Sequence, residues 1–171
     1  MKPFDADWLA DFVGTLRYAM LTTCAAQGEL VSRPLQTLLC DADSTLWFFT
    51  SAASGKVQEL GRDSRVNLTY ADPARKVFVS IAGSGEVLHD EDRARALWRL
   101  EQTIFFPHGP TDPDLRILKV RPHVARYWDG NASMLETAIK FGRAMLEGER
   151  SDLGTSGDIA LPSGMGPRRS S

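Results

Sequence analysis

The chain has 171 residues, a net charge of −2, and 43% hydrophobic and 25% charged residues, which suits one globular domain with a sizeable core. So even a charge balance gives no bulk attraction to nucleic acid or to an anionic membrane. No apolar run approaches the roughly 20 residues that span a bilayer, and the acidic start MKPFDADWLADF lacks the apolar core of a secretory signal, so the expected location is cytoplasmic.

Residues 5–16 carry Trp8, Leu9, Phe12, Val13 and Leu16 at three- and four-residue spacing behind Asp5 and Asp7, the pattern of a capped amphipathic helix. Residues 17–24 and 30–40 read as a strand pair joined by a turn in which Gly28 is free to take positive φ. Pro34 sits inside the second strand. Proline has no N–H for a ladder, so this strand is expected at an edge, at a bulge, or with its backbone turned toward something other than a neighbour, such as a ligand. After an Asp/Ser turn at 41–44, residues 46–50 form an aromatic third strand. It empties into Ser51-Ala52-Ala53-Ser54-Gly55-Lys56, which opens a short helix over 54–61 that Gly61 can end.

Strands follow at 65–71 and 76–88, and Gly83 and Gly85 in the second mark a bulge or bend that would curl the sheet. A helix is predicted over 91–103, a loop with Phe105 and Phe106 over 104–113, and a last strand over 115–128 interrupted at Arg121-Pro122. Ser133 and Glu136 make a capping box for a final helix to 147. From 148 to 171 the chain is rich in Gly, Ser, Pro and Arg without periodicity, and a disordered tail is expected there beyond a domain spanning 1–147. Runs of strands with segregated helices indicate an α+β fold, with about six mostly antiparallel strands curled into a small closed or split β-barrel and flanked by helices. Cys24 and Cys40 fall at opposite ends of the first hairpin and are expected as free thiols.

The turn at 51–56 gathers small residues, hydroxyls, a lysine and a helix N-terminus, all of which favour an anion. Arg33 on the neighbouring strand could close the same pocket from the side; a plain serine cap with two solvated cations is the other reading. Other chemistries lack their signatures. There is no GxSxG elbow, and SAASGKV lacks the leading glycine and the Ser/Thr of a phosphate loop. His89, His108 and His123 are scattered, with no metal-ligand spacing.

Ser32-Arg33-Pro34-Leu35, Leu46-Trp47-Phe48-Phe49-Thr50, Ser54-Gly55-Lys56, Arg65-Val66-Asn67-Leu68 and Val120-Arg121-Pro122 with Tyr127-Trp128 follow one another in a specific order. Together they resemble the pyridoxamine-5′-phosphate-oxidase-like flavin-binding split barrels, and most closely their bacterial general-stress-protein branch. The resemblance implies a homodimer with FMN, and FAD as a possible alternative, in a cleft at the dimer interface. It implies that Arg33 and Lys56 hold the phosphate with hydroxyls from Ser51 and Ser54. Pro34 and Leu35 would lie against the isoalloxazine, and Phe49 and Thr50 along the ribityl side. Trp98, Phe105, Phe106 and Trp128 could form a lid or dimer contact, or simply barrel-end core.

The chain also departs from the vitamin B6 oxidases. Leu38 stands where they carry a lysine for substrate phosphate. Where they end in an Arg-x-His segment, this chain runs from Trp128 into Asp129-Gly130 and a helix, so pyridoxamine phosphate oxidation is not expected. The expected function is a stress-related FMN oxidoreductase acting on a small substrate, with a nicotinamide as one possible donor. A flavin-storing or sensing protein without turnover is the alternative. A haem-binding split barrel is a third, with His89, His108 or His123 as axial ligand.

Overall fold

The computed structural model describes residues 5–130, 155–159 and 161. Helix α1 (Ala6–Leu16) is capped by Asp5, whose carboxylate accepts the Trp8 N–H at 2.9 Å, and it buries Leu9, Phe12 and Val13. Strands β1 (Tyr18–Cys24) and β2 (Leu30–Gln36) form the predicted hairpin, with Gly28 at φ 93° in the turn.

The single strand expected over 30–40 is two. The chain leaves β1 after Gln36 and restarts as β3 (Leu39–Cys40), paired with β4 (Leu46–Ser51). The Thr37 N–H still reaches the Arg17 carbonyl at 2.7 Å, whereas the Leu38 N–H reaches the Trp47 carbonyl at 2.9 Å. The buried hydroxyls of Thr37 and Tyr70, 2.6 Å apart, pin this crossing, and burial pushes the Tyr70 phenol well above its ordinary range.

Helix α2 (Gly55–Arg62) runs through Gly61, which therefore does not end it; an extended Asp63 does. Then come β5 (Arg65–Asp72), β6 (Val77–Leu88), α3 (Glu91–Leu97) and β7 (Leu115–Asp129). The helix expected over 91–103 stops at Leu97. Trp98 turns extended to pack on Phe49 with ring centroids 5.9 Å apart, and a 3-10 turn at Leu100–Ile104 follows and buries Gln102. The predicted interruption at Arg121-Pro122 is a bulge instead. The strand β7 is continuous, and its pairing with β6 shifts between Ala82 and Gly83, opposite Val124 and Pro122.

The sheet order is β2-β1-β5-β6-β7-β4-β3. Because β2 and β3 are one run of chain, the order closes on itself, and the fold is an α+β split barrel of antiparallel strands. The seam lies where β2 stays on β1 and β3 departs to β4. A further strand, β8 (Thr155–Ile159), pairs with the C-terminal half of β7. This corrects the expectation of a structureless tail for that segment: Ile159 is buried in the barrel core, and burial of such apolar side chains offsets the entropy of ordering the segment. The helix expected over 133–147 lies outside the described residues.

The barrel interior holds Leu21, Phe48, Leu68, Tyr70, Val79, Ile81, Leu118 and Val120 under the lid of α1. A second cluster joins Leu38, Trp47, Phe49, Ala94, Leu97, Phe106, Leu115 and Ile117 outside β4. The alternating side chains of β4 thus enter two different cores, which is why that strand reads as continuously apolar. Cys24 and Cys40 are both free, as expected. Burial, then Asp41 and Asp43, pushes the Cys40 thiol up to about 11. Cys40 is expected to resist iodoacetamide at pH 8 in the folded protein and to label on unfolding; mass spectrometry showing rapid labelling of the native chain would overturn this. Among the described residues, no helix is long and apolar enough to cross a membrane.

Candidate functional site

The seam opens a cleft of about 440 Å³ between β2 and β4. Tyr18, Pro34, Leu35 and Gln36 line it from the β1/β2 side, Phe49, Thr50 and Ser51 from the end of β4, Lys56 from α2, and Gln102, Phe105 and Phe106 from the segment after α3. Its size falls within the range of small-molecule sites.

Register explains why Pro34 is tolerated here. The Thr37-to-Arg17 hydrogen bond fixes the alternation along the β1/β2 ladder, which places Pro34, opposite Met20, at a non-hydrogen-bonded pair. A residue at such a position aims its backbone away from β1. The missing N–H therefore costs the ladder nothing, and the Pro34 carbonyl and the Gln36 N–H and carbonyl face away from β1 along the strand's other edge.

One end of the cleft is polar. The Lys56 ammonium donates to Thr50 Oγ1 at 2.9 Å and to Ser54 Oγ at 2.8 Å. Ser54, although it precedes α2, makes no side-chain cap; its hydroxyl serves Lys56. Ser51 Oγ accepts the Ala53 N–H at 3.1 Å, which holds the turn, and the Asp114 carboxylate also receives the Ala53 N–H, at 3.3 Å. The Ser51 hydroxyl is the first cause holding the Asp114 carboxyl below its ordinary range. Burial, then the Arg33 charge, lowers the Lys56 ammonium, with Glu59 opposing both.

Arg33 does not line the cleft. It stands opposite the buried Leu21, so its side chain takes the inner side of β2, toward Thr23 and α2. There its guanidinium donates to the Thr23 hydroxyl and to Glu59 Oε2 at 2.8 Å, and Thr23 donates to the same carboxylate. The ion pair is largely enclosed, with side chains 21% and 14% exposed. The Thr23 hydroxyl first, and Arg33 and Lys56 after it, hold the Glu59 carboxyl below its usual range.

At the other end, the amides of Gln36 and Gln102 bond to each other at 3.0 Å, and Gln36 bonds to Glu101 at 2.8 Å, which in turn pairs with Arg17. Gln102 is buried. Phe49 and Phe106 meet edge to face at 6.2 Å and form the apolar back wall, while Phe105 is 70% exposed at the mouth.

Pro34, Leu35, Phe49, Thr50, Ser51 and Lys56 are thus brought to one cleft; Ser54 stands behind Lys56, and Arg33 is tied to Glu59. Gln36, two residues beyond Pro34 on the same strand face, was legible in principle from period-two alternation. Gln102 and Tyr18 were not, because only the tertiary fold brings them there. Trp98 joins the second core and Trp128 lies half-exposed on the outer sheet face, away from the cleft lining. No histidine lines the cleft: His123 sits 3.3 Å from Ser84 on the β6/β7 face, and the His108 N–H is taken by Asp112. Among the described residues, no cluster of three or more His, Cys, Asp or Glu is arranged to hold a metal ion.

Solved structures share this fold. A protein of Clostridium acetobutylicum related to general stress protein 26 of B. subtilis superposes with a TM-score of 0.66 at 22% identity, covering 72% of this chain and 87% of that one. The general stress FMN/FAD binding protein of Xanthomonas citri superposes with a TM-score of 0.65 at 25% identity, covering 77% of this chain and 92% of that one. Among curated proteins, bli-3 of Neurospora crassa is 24% identical over 70% of this chain, and the match spans 62% of its own length. Residues 5–152 match the family described as pyridoxamine 5′-phosphate oxidase like, and the chain belongs to that family.

Proposed function

We propose that the cleft binds a phosphorylated flavin, FMN with FAD also accepted, and that the protein is an FMN-dependent oxidoreductase acting on a small substrate. The observation that carries this reading is the polarity of the cleft. A buried-edge lysine with three hydroxyls stands at one end, an amide pair at the other, and apolar walls lie between. That order suits an elongated ligand with an anion at one end and a planar, hydrogen-bonding ring at the other. Family membership and the FMN/FAD-binding relative support it.

In this reading Lys56 holds the phosphate, with Thr50, Ser51 and Ser54 around it and the dipole of α2 adding to the attraction. Pro34, Leu35 and Phe49 flank the ring and exclude water from its faces. The Pro34 carbonyl and the Gln36 backbone N–H can meet the ring's polar edge, and the Gln36/Gln102 amides add donors and acceptors there. When bound, the flavin supplies the hydride chemistry, and the protein's task is to bind, orient and tune it.

The cleft is open on one side, and a second copy of the chain is proposed to cover it. Tyr18, Met20, Phe78, Val124 and Trp128 stand exposed on one outer face of the sheet, and Tyr18 also lines the cleft. Five large apolar side chains exposed on one sheet face are the kind of surface a partner covers. Among the described residues, the lining offers no carboxylate or imidazole to move a proton, which favours as a second reading a flavin carrier without turnover.

Spectra and kinetics test this. After incubation with FMN and gel filtration, the chain is expected to elute as a dimer retaining flavin absorbance. Faster reduction of bound than of free flavin by NADH or NADPH would establish turnover, and equal rates would favour the carrier. Elution without flavin would refute the cleft assignment.

A further inference from the structure

The phosphate end of the cleft carries an unexpected carboxylate. Glu59 lies one helical turn beyond Lys56 on α2 and receives hydrogen bonds from both Arg33 and Thr23. A site built to grip a dianion would leave both cations free. Here one of them is already paired, at 2.8 Å, with a side chain only 14% exposed. Arg33, Lys56 and Glu59 together carry one net positive charge, and Asp114, bonded to the Ser51–Ala53 turn, is itself faced by Arg116.

Phosphates differ in the charge they present. A monoester such as that of FMN carries about −1.5 to −2 at pH 7. A phosphate linked on both sides carries one charge, so the diphosphate of FAD spreads two charges over two phosphates where FMN concentrates them on one. Resting on the flavin reading above, we propose that Glu59 is a specificity-determining residue: by neutralising Arg33 it leaves the phosphate end with a single net positive charge, which restrains binding of a doubly charged phosphate monoester and lets a flavin with a doubly linked phosphate compete. The Glu59 carboxyl is held below its ordinary range, so the restraining charge is present at neutral pH.

The test measures dissociation constants of FMN, FAD and riboflavin by fluorescence titration of the full chain at neutral pH. Glu59→Gln keeps the hydrogen-bonding shape and removes the charge. It is expected to tighten FMN about two- to threefold more than FAD, the order of effect of moving one of two charges a phosphate further away in a partly screened site, and to leave riboflavin unchanged. Arg33→Gln, which leaves Glu59 without its partner, is expected to shift the ratio the other way, so either variant alone decides the matter if the other fails to fold. Equal factors for FMN and FAD in Glu59→Gln, or weakened FMN binding, would overturn the assignment and make Glu59 a mere support for Arg33. If none of the three flavins binds the wild type, the flavin reading itself falls, and this inference with it.

Discussion

Gly83→Ala is expected to melt far below the wild type. A Cβ at this position would lie 2.3 Å from the Arg121 carbonyl oxygen, 3.0 Å from its carbon and 3.2 Å from Pro122 Cα. All three are backbone atoms of the β7 bulge, which is held by pairing to β6 on both sides of the register shift. They cannot withdraw without breaking the ladder that joins the two longest strands of the barrel. Gly85 is the control. A Cβ there meets Leu60 Cδ2 at 2.9 Å and Val66 Cγ1 at 3.1 Å, which are side-chain ends that can rotate aside. We expect Gly83→Ala to lose about 3–4 kcal/mol and Gly85→Ala about 1–2 kcal/mol. For a domain of this size the first lowers Tm by roughly 10 °C. Circular dichroism melts of both variants check the order; a Gly83→Ala chain that melts within a degree or two of wild type would show that the bulge relaxes freely.

The same two glycines show what the sequence could and could not say. Their place inside a long strand pointed to curvature, and the structure bends there. What could not be read is that the irregularity at Gly83 and the one at Arg121-Pro122 are a single bulge, with the extra residue on β7, since a bulge belongs to a pair of strands and the pairing is tertiary. Pro34 likewise announced an edge. The split of its strand into β2 and β3 depends on Trp47 and Tyr70, which are remote in sequence, so one continuous strand was the natural expectation. The α3 boundary failed for a related reason: Trp98 trades a further turn of helix for a place against Phe49, a tertiary gain that local propensity does not contain. In the cleft, Lys56 was legible from its turn and its neighbours. The position of Arg33 was not, because strand alternation sends its side chain to the other side from Pro34, and the Glu59 that meets it looks from sequence like any charge on a short helix.

That difference between the two cations leads to the largest expected binding effect. Lys56→Ala is expected to weaken FMN by about 10- to 100-fold, the loss that follows removal of a charged hydrogen-bond donor from an anion, while leaving riboflavin affinity and the melting temperature nearly unchanged. The lysine is half-buried among hydroxyls and, among the described residues, no carboxylate bonds directly to its ammonium, so the apo protein bears the cost of its desolvation, seen in its lowered pKa. A bound phosphate offsets that cost, so binding should draw the lysine back toward its ordinary range. The sign for pH follows. Because the ammonium is lowered in the apo protein, FMN affinity should begin to fall at a lower alkaline pH than an ordinary lysine would give, and this alkaline limb should vanish in Lys56→Ala. Arg33→Ala should behave differently: it strands a largely enclosed Glu59 carboxylate, so it is expected to lower the melting temperature as well as FMN affinity. The double variant is expected to lose at least about tenfold in FMN affinity. If Lys56→Ala retained full affinity while Arg33→Ala abolished it, the phosphate would lie on the Glu59 side of β2, and the open cleft would be left for the substrate.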